Sequence, residues 1–124
     1  MRCHKGFTLI EVLIAMVVLS VGLLGVAGLT LSIRAGNSYS RNVTTATIIA
    51  QQRLEQAQRV GYVNTNTTTF PATVESVLMG GVTYSRLTTI SDNMPVAKTK
   101  TVAVQVSWDS GVRSVTLSTI LAES

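Results

Sequence analysis

Residues 7–33 read FTLIEVLIAMVVLSVGLLGVAGLTLSI, and Glu11 is the one charged side chain among these 27 residues. Leu, Val and Ile dominate, and nothing from Val12 to Ile33 carries a charge. As a helix the stretch would run about 40 Å, enough to cross a bilayer core of about 30 Å. It exceeds the apolar part of an ordinary secretory signal, typically about 7–15 residues, and no small-residue cleavage site closes it. It therefore reads as a retained membrane segment. Glu11 is the oddity within it. A carboxylate near the start of a spanning helix is costly unless it is compensated by the helix N-terminus, by a cation, or by placement at the headgroup level.

Outward from this segment the composition changes. The hydrophobic fraction of the 124 residues is 46%, high for a small soluble domain, and the excess is concentrated in residues 7–33. From Arg34 onward the chain is polar and rich in Thr and Ser, with material for one modest core. The formal charge of +4 does not indicate nucleic acid, because the bases from Arg34 to Arg113 are dispersed and phosphate binding requires clustered cations. Without residues 1–6, which hold Arg2 and Lys5, eight bases face six acids. The one cysteine, Cys3, stands beside the one histidine, His4, at the chain end. Two adjacent residues do not make a metal site, and no metal or cofactor is expected.

The run Lys5-Gly6-Phe7-Thr8-Leu9-Ile10-Glu11, followed by apolar residues, resembles the type III signal of type IV prepilins and of type II secretion pseudopilins. The resemblance implies a basic leader, residues 1–6, cut after Gly6 by a prepilin peptidase, and methylation of the new terminal residue Phe7. It implies that Glu11, fifth in the processed chain, pairs with the terminal amine of a neighbouring subunit during assembly. Such a pair neutralises two charges in apolar surroundings, where breaking it would strand one. In assembled members of the family this part of the helix partly unwinds, often around a proline. Gly22, Gly25 and Gly28 could serve that purpose here, or could be small residues tolerated in a membrane helix.

Beyond the membrane segment, helical periodicity continues. Val43, Ala46, Ala50, Leu54 and Ala57 mark one face, with Arg41, Gln52, Arg53, Glu55, Gln56 and Arg59 as polar positions around it. One helix is expected from about Phe7 to Val60, with Gly61 as its C-cap and a bend near Gly36-Asn37. Asn64 to Thr69 reads as a linker closed by Phe70-Pro71. The period then changes to two. Val82, Tyr84, Leu87 and Ile90 suggest one strand after a turn at Gly80-Gly81, and Ser91 to Lys100 a loop. Val102, Val104, Val106 and Trp108 alternate in a second strand, with Trp108 a core residue. Asp109-Ser110-Gly111 signals a hairpin into a third, lined by Val115, Leu117 and Leu121.

The expected fold is α+β: a long N-terminal helix, apolar all round in its first half and amphipathic in its second, packed on a small antiparallel sheet of three or four strands. The expected divisions are a leader at 1–6, a membrane or filament-core helix at 7–33, and a periplasmic globular domain at 34–124. This plan is similar to that of pilins, and within it the stretch from Gly6 to Gly25 and the closing hairpin from Val102 to Leu121 most resemble minor pilins of the PilV type. The lack of any cysteine after Cys3 departs from the C-terminal disulfide loop of many major pilins.

The implied role is a minor subunit in assembly, initiation or modification of a type IV pilus. A minor pseudopilin of a type II secretion system shares the same signal and fold, and an uncleaved single-pass anchor with a small binding module is a further alternative. The implied partners are other pilin subunits, the prepilin peptidase, the inner-membrane assembly platform and, before assembly, the membrane itself. Catalysis is not expected: without residues 1–6 there is no His or Cys, and Glu55, Glu75, Asp92, Asp109 and Glu123 are scattered. The spans Asn64 to Gly81 and Ser91 to Lys100 are expected to form the variable surface.

Overall fold

The computed structural model describes residues 6–123. A helix, α1 (Leu9–Asn64), precedes four strands: β1 (Glu75–Met79), β2 (Val82–Asp92), β3 (Thr99–Trp108) and β4 (Arg113–Ala122). The strands form one antiparallel sheet in the order β1-β2-β3-β4. The fold is α+β, as expected, with β1 as the fourth strand. The chain divides into two units, Met1–Tyr39 and Ser40–Ser124.

In the first unit every described residue is exposed, including Leu13, Val17, Leu24 and Leu31. By length and composition this part of α1 could cross a membrane. The few hydroxyls in the apolar run bond back to the helix: Ser20 Oγ donates to Met16 O at 2.8 Å and Thr30 Oγ1 to Val26 O at 2.9 Å. A hydroxyl paired in this way can sit in hydrocarbon without an unsatisfied donor. Gly22, Gly25, Gly28, Gly36 and Asn37 are all helical.

In the second unit α1 packs on one face of the sheet. Ala46, Ile49, Ala50 and Ala57 of the helix join Tyr84 of β2, Phe70, and Val102, Val104, Val106 and Trp108 of β3 in one core. Val43, Leu54, Val115, Leu117 and Leu121 border it. Three alanines on the helix face keep the backbone close to β3, whose four core side chains alternate as the period of two requires. Trp108 lies in this core with its ring 6.1 Å from that of Tyr84, tilted at 53°.

Several expectations are corrected. Arg53 is buried instead of lying on the polar side of α1. On β2 the core face holds Val82, Tyr84, Arg86, Thr88 and Ile90, so Leu87 points to the other face. Its odd number already breaks the parity of the other three. Gly61 (φ 76°, ψ 177°) does interrupt the helix, but another turn continues to Asn64. That turn is tied by Thr65, whose N–H donates to Gly61 O at 3.1 Å and whose buried Oγ1 donates to the same oxygen at 2.8 Å. The span Asn64 to Gly81 is not all surface, since Thr65 and Phe70 are buried and β1 lies within it. Ser91, Asp92, Thr99 and Lys100 belong to strands, which shortens the expected loop to residues 93–98.

The tight turn between β1 and β2 consists of Gly80 (φ 60°) and Gly81 (φ 78°). Two successive positive φ values suit a two-residue hairpin and favour glycine at both places. At the β3–β4 turn Asp109, Ser110 and Gly111 all have positive φ, in agreement with the hairpin expected there.

The face of the sheet turned away from α1 carries no charged side chain along any of its four strands. Its cross-strand rows are short and mostly hydroxylated. One row is serine throughout: Ser76, Ser85, Ser107 and Ser114. Another runs Thr89, Ala103, Ser118.

Because Val104 is fully buried at the centre of the core, Val104→Ala is expected to lower stability by about 2 kcal/mol, whereas Thr116→Ala on the outer face should stay within about 0.5 kcal/mol. Urea unfolding of the full chain in detergent micelles, monitored by Trp108 fluorescence, checks both.

Candidate functional site

The residues singled out by the sequence lie at the start of α1. Gly6, Phe7 and Thr8 precede the helix and are exposed, Phe7 at 82%. Thr8 caps the helix: its carbonyl accepts from Glu11 N at 3.1 Å and Val12 N at 3.3 Å, and its Oγ1 accepts from Glu11 N at 3.3 Å. The Thr-x-x-Glu spacing is that of a capping box, so the start of the helix is set just after Thr8. The run Thr8-Leu9-Ile10-Glu11 carries that signal in the sequence itself. Cys3, His4, Arg2 and Lys5 lie outside the described residues.

Glu11 sits in the first turn of α1 with its side chain exposed. There the partial positive charge of the helix end favours a carboxylate. None of the ion pairs among the described residues involves Glu11. The site thus presents a non-helical dipeptide, Gly6-Phe7, ahead of a capped helix with one acid at its head and an apolar surface behind it. It is chemically a handle: a peptide bond outside the helix, open to an enzyme, and a carboxylate open to a cation.

The second unit contains a polar cluster that sequence reasoning missed. Glu75 on β1 faces Arg86 on β2 in register, and Arg86 donates to Glu75 Oε2 through Nε at 3.0 Å and Nη2 at 2.6 Å. Arg53 on α1 bonds the same oxygen, donates to Gln56 Oε1 at 3.2 Å, and lies 5.4 Å from the centre of the Phe70 ring. The acids looked scattered because Glu75 is 22 positions from Arg53 and 11 from Arg86 in the chain. Arg86 on the apolar parity of β2 was the available clue. The Arg86 hydrogen bond lowers the Glu75 pKa from its usual 4.5, partial burial opposes this, and Arg53 adds to the lowering. The cluster ties α1, β1 and β2 together and has no evident chemistry beyond that.

Lys100 provides a second anchor. Its Nζ donates to Tyr62 O at 3.0 Å and Thr65 O at 2.8 Å, and lies 4.7 Å from the centre of the Tyr62 ring. A cation over the last carbonyls of a helix satisfies acceptors that have no partner within it. Among the described residues no group of three His, Cys, Asp or Glu side chains is arranged to hold a metal.

Residues 1–27 match the family model for the prokaryotic N-terminal methylation motif. The match spans Gly6, Phe7 and Glu11 and ends inside the apolar part of α1. No curated protein and no solved structure matches the chain.

Because Glu75 has a lower pKa in the fold than its usual 4.5, its contribution to stability is complete above that value. It is lost as the pH falls through the folded pKa. Glu75→Gln is expected to cost roughly 1–2 kcal/mol at neutral pH, discounted for a side chain that is partly exposed, and to flatten the loss of stability below pH 4.5. Urea midpoints of the two chains across that range check the slope.

Proposed function

We propose that the chain is a type IV pilin-like prepilin: a membrane-anchored subunit cut after Gly6, methylated at Phe7, and assembled through α1. The match of residues 1–27 to the N-terminal methylation motif carries this reading. Two features of the molecule support it. The Gly6–Phe7 bond precedes the helix and is exposed, as a peptidase requires. The apolar surface of residues 9–33 is uncovered within its own unit, so membrane lipid or neighbouring helices must cover it.

In this reading the helix waits in the inner membrane with the sheet-bearing unit in the periplasm. Glu11 then pairs with the terminal amine of a neighbouring Phe7 as the subunit enters a filament. The partners are other pilin subunits, the prepilin peptidase and the assembly platform. Within the class we favour a minor pilin of the PilV type, on the likeness of the stretch from Gly6 to Gly25 and of the closing hairpin from Val102 to Leu121. A minor pseudopilin of type II secretion has the same signal and is the second assignment, to be separated by which filament retains the protein.

Intact mass and N-terminal sequence of the protein from native membranes test the proposal. Methylated Phe7 at the N-terminus, present only when the prepilin peptidase is active, is the expected result. A chain retaining residues 1–6 in the presence of active peptidase would overturn it in favour of an uncleaved anchor. Glu11→Gln is expected to leave cleavage intact while removing the subunit from sheared filaments, read by immunoblot of the filament and membrane fractions.

A further inference from the structure

β4 forms one edge of the sheet, paired on one side with β3 over ten consecutive residue pairs from Arg113 to Ala122. The other edge, β1, has five residues. A sheet edge offers a row of unpaired N–H and C=O groups, and proteins that remain single usually blunt it with short strands, charges, proline or a bulge. β1 is short, whereas β4 has none of these devices. From Ser114 to Ala122 it contains no charge, no proline and no glycine, and its register against β3 is unbroken. Its charges stand at the two ends, Arg113 before this stretch and Glu123 after it.

That placement selects one partner and one register. If a second copy lies antiparallel along the free edge with Ser118 opposite Ser118, Arg113 of each copy falls opposite Glu123 of the other. Both side chains are about half exposed, and their local partners Asp109 and Lys98 are 3.7 and 3.6 Å away at the surface, so neither is sealed off. The same register sets Val115 opposite Leu121 and Leu117 opposite Thr119 on the helix side of the sheet. All four of these residues are only half buried in the single chain. On the outer side, Thr116 meets Ile120. Val115 with Leu121 and Ser118 with Ser118 match like with like, the remaining pairs join a hydroxyl or small residue to an aliphatic or small one, and opposite charges close both ends.

We propose that two copies of this chain pair through β4, antiparallel and centred on Ser118, to form a continuous eight-stranded sheet. The pairing does not depend on the filament reading. A two-fold contact closes at two copies and cannot propagate, so if the chain also enters a filament the pair is its waiting form rather than its filament contact.

Disulfide trapping in the full chain tests the register, with Cys3→Ser as background so that each variant has one thiol. In the proposed pair the two Ser118 Cα atoms lie about 4.5–5.5 Å apart, within disulfide range, whereas each Ser114 lies opposite Ala122 and about 27 Å from its own counterpart. In native membranes under mild oxidant, Ser118→Cys should give a disulfide dimer and Ser114→Cys alone should not. Ser114→Cys co-expressed with Ala122→Cys should again give one. Arg113→Glu and Glu123→Arg should each reduce trapping at Ser118→Cys, and the two together should restore it. Trp108 fluorescence confirms that each variant is folded. A folded Ser118→Cys chain that stays monomeric, equal trapping through Ser114→Cys alone, or a charge-reversed double variant no better than the singles would overturn the proposal.

Discussion

Apolar surface has to be removed from water, and along residues 9–33 the described part of the first unit contains nothing that could do so. Each apolar side chain there is exposed around the whole circumference of the helix. At about 25 cal/mol per Å² the exposed area is far too costly to leave in contact with water. The features around it obey this constraint. The hydroxyls fold back onto the helix carbonyls, the charges stop at Glu11 and resume at Arg34, and the one acid is placed at the helix end that favours an anion. The segment suits an apolar environment.

The second unit solves the opposite problem, making a stable core from few large residues. Alanines on the helix and valines on β3 replace bulk with close approach, and Tyr84, Phe70 and Trp108 are the largest side chains among them. Polar anchors hold what the small core cannot. Glu75 joins two arginines from α1 and β2, and Lys100 takes the last carbonyls of α1. Both anchors use cations on the inner face of the sheet, where their apolar stems pack while their heads find acceptors.

The elements with strong periodicity were legible in the sequence, and the anchors were not. The helix, the Val102-to-Trp108 strand and the closing hairpin arise from spacing and turn chemistry, which are local properties. Gly61 was legible as an interruption, but the further turn to Asn64 depends on Thr65 and Lys100, the latter far along the chain. Arg53 and Arg86 were misread or passed over because charge suggests exposure, and only the fold brings Glu75 to meet them. Leu87 was assigned by hydrophobicity when parity should have decided, since Thr88 takes the core position. At the N-terminal site, position marked Glu11 as the lone charge in the apolar run, the resemblance to prepilin signals named Gly6 and Phe7, and the structure adds the Thr8 cap at the start of the helix.

The row Ser76, Ser85, Ser107, Ser114 and the neutral rows beside it leave the outer face of the sheet with no fixed charge of its own. Electrostatic attraction at a protein surface fades within a Debye length, about 8 Å at physiological ionic strength and less in stronger brine. A face of hydroxyls, small groups and a few aliphatic side chains such as Leu78 and Ile120 has little such attraction to lose. Its wetting and its contacts would therefore change little between fresh water and sea water, or between acid and neutral surroundings. The charged helix surface, by contrast, would respond to both.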